Sequence, residues 1–134
     1  MGLLAQLELE YESDDVEKFL HFFRIMADSF EPLIIKLEGK AYKTALKEIQ
    51  SLAHNTAWAA RRLKLDEITD FCVFCEDIMQ QALRFDGPAS VEFIDWLLLL
   101  SEQCENYCKS YEQDAENLAF FNPLLVKLPS KLSL

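Results

Sequence analysis

Imidazoles and thiols are few in this chain. Among 134 residues there are two His, His21 and His54, and four Cys, Cys72, Cys75, Cys104 and Cys108. No Gly-rich phosphate loop, Ser nucleophile motif or paired-carboxylate constellation occurs. His54 stands in the stretch Gln50-Ser51-Leu52-Ala53-His54-Asn55-Thr56-Ala57-Trp58, with Lys47 seven residues before it and Arg61 seven after. An exposed imidazole in such a setting can carry a phosphoryl group, ligate a metal, move a proton or simply be solvated. Metal ligation asks for a His, Asp or Glu three or four residues away, and none is there. Acid–base catalysis asks for a carboxylate to orient the ring, and this turn of helix has none. A phosphoryl acceptor needs an accessible nitrogen, nearby cations and room for a partner. Lys47 and Arg61 are the candidate cations, and Gln50, Ser51, Ala57, Trp58 and Arg62 are the candidate partner surface.

The elements that would position His54 follow from periodicity. Ser13, Asp14 and Asp15 mark a helix start, followed by Val16, Phe19, Leu20, Phe23, Met26, Ala27 and Phe30 at helical spacing. Pro32 predicts a kink or restart near Asp28-Ser29, with helix resuming through Leu37 and Gly39 as its C-cap. A second helix is predicted over Ala41 to Leu63, and a third from Leu65-Asp66, with Asp66 as N-cap, to just before Asp86-Gly87-Pro88. A fourth is predicted from Pro88 to about Phe121, some 50 Å long at 1.5 Å per residue, so its end should fray, break or project. On the second helix Tyr42, Ala45, Leu46, Ile49, Leu52, Ala53, Thr56, Ala60 and Leu63 share one side, and His54 lies about 150° from its centre. The ring is therefore expected in solvent.

The expected fold class is all-α, an antiparallel up-down four-helix bundle with an N-terminal helical lead-in and a C-terminal tail. One domain would span residues 1–121 and the tail residues 122–134, with Leu124 to Leu134 either docked on the bundle or mobile. Only three Gly and four Pro speak against a turn-rich β architecture, and 51% hydrophobic residues suffice for a core. The apolar run Trp96 to Leu100 is too short to span a membrane and exceeds what one helix face needs, so that helix is either buried on several sides or part of a homodimer interface. The N-terminus lacks a basic flank, and a cytoplasmic protein with reduced thiols is the expectation. Cys72 and Cys75 fall in line with Ile68, Phe71, Ile78, Met79 and Ala82, and Cys104 and Cys108 with Ile94, Leu97, Tyr111 and Ala115. These stripes predict core thiols, with a zinc or redox pair as the competing reading.

Charge is unevenly spread. The net charge of -10 argues against a nucleic-acid partner. Yet Lys40 to Lys64 holds six basic residues and one acid, so a cationic stripe bears the His on an otherwise acidic protein. That asymmetry suits docking onto a small acidic or phosphate-bearing partner.

The triplet Leu52-Ala53-His54, followed by Leu63, Leu65, Ile68 and Cys72 and preceded by the helix Phe19 to Leu37 with its Glu31-Pro32 pair, resembles the histidine phosphotransfer domain of bacterial phosphorelays. The resemblance covers roughly Val16 to Tyr111. It implies that His54 accepts a phosphoryl group from, or hands one to, the aspartate of a response-regulator receiver domain, with a histidine kinase as a further partner. It implies a phosphocarrier rather than a turnover enzyme, without a cofactor of its own, the Mg2+ being held by the receiver. The family usually carries Leu, Lys and Gly at the second, third and fourth positions after the His, where this chain has Thr56, Ala57 and Trp58. Arg61 or Lys47 would then replace the Lys, and Trp58 would either obstruct the receiver or anchor a specialised interface. The alternative is a bundle of the same shape that has lost the chemistry and binds or inhibits a signalling partner.

Overall fold

The computed structural model describes all 134 residues. It is all-helical: α1 (Leu3–Glu10), α2 (Ser13–Lys36), α3 (Tyr42–Arg62), α4 (Asp66–Ala82) and α5 (Val91–Glu112), then a short 3-10 turn, Pro123–Val126. No helix is long and apolar enough to cross a membrane.

Several boundaries differ from the sequence expectation, each for a local reason. α2 runs unbroken through Pro32. A single Pro removes one helical hydrogen bond, and the buried stripe continues across it in Phe30, Leu33 and Ile34. The helix ends at Lys36 rather than at Gly39. Asp66 is the first residue of α4, with Leu65 at the N-cap position and no side-chain cap, and α5 starts after Ser90, whose hydroxyl accepts from Phe93 N. α5 ends at Glu112, nine residues before Phe121. There Asp114 takes φ 51°, Ala115 N bonds Ser110 O and Asp114 N bonds Tyr111 O, which closes the last turn. α3 ends the same way, with Lys64 at φ 55° and Leu65 N bonded to Ala60 O.

Paired residues show how neighbouring helices run. Tyr42 at the start of α3 donates its hydroxyl to Ala82 O at the end of α4, while His54 meets Glu76. On the other flank Arg62 reaches Asp15, and Thr56 donates to Phe22 O. Numbers rise on one helix as they fall on the next, so α3 is antiparallel to both α2 and α4. α2 meets α5 through Phe19 on Tyr111 and through Arg24, which pairs with Glu112, Glu105 and Asp28. α4 meets α5 across the ring pairs Phe71–Tyr107 and Phe74–Trp96. Gly87, at φ 84°, passes so close to Tyr42 that a Cβ there would lie 2.4 Å from the ring.

The segment after α5 lies back along that helix as a strap. Gln103 holds Phe120 O and Asn122 N, and Trp96 Nε1 donates to Leu125 O. Further along, Glu92 accepts from Ser130, and Ser90 N bonds Leu132 O. Residues 122–134 are thus fastened to the body, and Leu125 is fully buried. Within the Trp96 to Leu100 run, Trp96 meets this cover, Trp96, Leu97 and Leu100 are buried, and only Leu98 is substantially open.

Candidate functional site

His54 lies near the middle of α3, with its side chain 69% exposed. The stripe that keeps it outward is the one expected: Tyr42, Ala45, Leu46, Ile49, Ala53, Thr56 and Ala60 are buried, and Leu52 is half-buried. Around the ring Gln50, Ser51, Asn55 and Glu76 line a shallow dish with no hydrophobic residue in it. Gln50 closes one side by donating to Gln80 Oε1 at 2.9 Å and to Glu76 O at 3.4 Å.

Glu76 is the residue that reading along one helix missed. Its Oε1 lies 3.2 Å from His54 Nδ1. A carboxylate only accepts hydrogen bonds, so neutral His54 carries its proton on Nδ1 and leaves the Nε2 lone pair free. The turn of α3 around His54 indeed lacks an acid, but α4 supplies one from 22 residues further on. The signal available beforehand was the short turn expected between Leu63 and Leu65, which folds the two helices back on each other and sets residues near 74 across from His54. Gln80, also on α4, was missed for the same reason, whereas Asn55 follows His54 directly on α3 and was legible there.

The remaining expected site residues are only partly gathered. Lys47 and Arg61 are exposed, and neither makes an ion pair. Each is seven residues from His54, about 10 Å along the axis. Trp58 is 45% exposed, and the Arg62 guanidinium sits 5.2 Å over its ring while also pairing with Asp15. Ser51 is exposed at the dish rim. Ala57 is a correction: it is buried and cannot form part of a docking surface. α3 packs against α2 and α4 together, which widens its inner arc to include Ala57 and Ala59. Lys43 is drawn off to Asp86, so the cationic stripe is part neutralised.

His21 is exposed on α2. All four Cys are buried and unbridged. Burial pushes their thiols up, Cys108 to about 12, which holds them protonated and unreactive. They gather no group of three potential metal ligands.

No family model, curated protein or solved structure matches this chain.

Proposed function

We propose that this protein is a histidine phosphotransfer module, an up-down four-helix bundle in which His54 exchanges phosphoryl groups with a receiver-domain aspartate. The observation that carries the reading is the open imidazole whose Nδ1 is held by Glu76 and whose Nε2 is free. In the forward step the Nε2 lone pair attacks phosphorus in line, the N–P bond forms, and the bond to the aspartyl oxygen breaks to release a carboxylate. The ring becomes cationic as this happens. Glu76, fixed beforehand at Nδ1–H, offsets that charge without reorganising. Arg61 and Lys47, free of ion pairs, are the cations available to the phosphoryl oxygens, and the partner supplies its own Mg2+. The role is that of a phosphocarrier in cytoplasmic signalling.

Incubation of the chain with phosphorylated receiver domains tests this. Acid-labile label is expected on the wild type and not on His54→Gln; equal label on both, or none on either, ends the proposal.

A second reading is favoured by Trp58 and its Arg62 cover. It holds that the same face grips a signalling partner without transfer. A half-exposed indole stacked with a guanidinium is a strong anchor for an interface. It predicts that Trp58→Ala abolishes a receiver pull-down while His54→Ala leaves it intact.

A further inference from the structure

A cleft of about 410 Å3 opens where α4, α5 and the strap meet, and none of its residues belongs to the His54 dish. Phe71 and Phe74 of α4, Tyr107 of α5, and Phe121 and Val126 of the strap form its walls, with Glu67 and Asp70 of α4 at its edge. On α4 the residues 67, 70, 71 and 74 fall at helical spacing, so two carboxylates and two aromatic rings share one face. Both carboxylates are exposed and neither makes an ion pair.

Tyr107 adds a hydrogen-bonding group to this lining. Its side chain is mostly buried and lines the cleft, and its hydroxyl makes no hydrogen bond within the protein while keeping access to solvent. A ligand bearing an N–H or O–H could therefore take the place of the water this hydroxyl otherwise meets. Burial and the nearby Glu67 raise the phenol, so it stays protonated and able to accept as well as donate. The walls fix the rest of the chemistry. Four aromatic side chains favour a flat or branched apolar body, and their ring faces favour a cation. The free carboxylates favour the same sign and disfavour an anion.

We propose that this cleft binds a small organic ammonium ion with an apolar, preferably aromatic, body: the body among Phe71, Phe74, Phe121 and Val126, the ammonium between Glu67, Asp70 and the Tyr107 hydroxyl. The site is distinct from the phosphotransfer reading and stands or falls without it.

The test uses the full chain and three probes of similar shape: phenethylammonium, neutral 2-phenylethanol and anionic 3-phenylpropanoate. Titration followed by amide chemical shifts reports affinity and places the contact. At low salt the ammonium should bind about tenfold more tightly than the alcohol, with saturable shifts at residues 67–74 and 107, and the anion more weakly still. In the variant carrying Glu67→Gln and Asp70→Asn the alcohol should bind as before and the ammonium should lose its tenfold advantage. These two residues are exposed, so the variant keeps the fold. Equal binding of ammonium and alcohol, shifts confined to other surfaces, an advantage that survives both substitutions, or no saturable binding of any probe overturns the proposal.

Discussion

Along α4, Glu76 and Gln80 turn towards α3 and help enclose an open polar dish, whereas Phe71 and Phe74 turn towards α5 and the strap, where rings interlock. Phe71 and Glu76 are about 140° apart on the helix wheel. One helix therefore serves a wet face, where groups are held by one or two hydrogen bonds and left available, and a dry face, where rings pack against α5 and the strap around an apolar cleft. The contrast teaches that the proposed chemistry and the stability of this protein rest on separate residues. Changes on the dry face should cost folding free energy and leave His54 alone. Changes on the wet face should do the reverse.

The largest effect should come from the strap. Leu125 is fully buried, and Leu125→Ala removes that packing at a cost of about 2–5 kcal/mol, seen as a lower urea midpoint. Phosphoryl acceptance by the folded fraction should be unchanged. A loss under about 1 kcal/mol would mean that the strap is an ornament rather than part of the core. Next comes Trp96→Phe, which deletes the donor to Leu125 O and shrinks a buried ring; about 2 kcal/mol of stability should go, again by urea titration.

On the wet face Glu76→Gln should leave the urea midpoint within about 0.5 kcal/mol and slow phosphoryl transfer about tenfold, equivalent to ~1.4 kcal/mol of barrier. The amide can still accept from Nδ1, but it cannot offset the positive ring. Single-turnover transfer from a phosphorylated receiver measures this, and an unchanged rate would remove Glu76 from the mechanism. A variant that lost both stability and transfer together would break the division between the faces.

Much of this division was legible in the sequence, since it rests on periodicity within single helices. The buried stripe of α3 and the outward His54 follow from residues three and four apart, as do the core positions of the four Cys. What escaped were features set by other parts of the chain. Glu76 reaches His54 across an interhelical register that no wheel contains. A break in the long last helix was expected, but its position went unseen because the left-handed stop is Asp114, not the Gly such a stop usually announces, and the Asp114 carboxylate is itself held in place by Ala5 N. Whether the tail docks stayed open in the sequence because its bonds join distant residues, such as Leu134 and Pro88, 46 positions apart. Ala57 was misplaced because the inner arc of α3 widens only when both neighbours are known.

The smallest effect concerns the fastening of the strap to the start of α5. The Glu92 carboxylate accepts from both the amide and the hydroxyl of Ser130, and these bonds hold it below the usual carboxylate range. A carboxyl group whose pKa is lower folded than unfolded stabilises the fold above the unfolded value. That contribution fades as pH falls from about 4.3 through the folded value. Glu112 behaves likewise, through its hydrogen bonds with Arg24, and ties α5 to α2. Glu92→Gln should therefore lower the urea midpoint slightly at neutral pH, and the wild-type and variant curves should converge as the solution is acidified below pH ~4. Because Glu92 is fully exposed, the gap at neutral pH should be small and should narrow with salt. The dry face would then owe its pH sensitivity to its rim and not to its rings. Curves that stay parallel down to acid would shift that sensitivity to the Arg24–Glu112 clamp on the opposite side of α5.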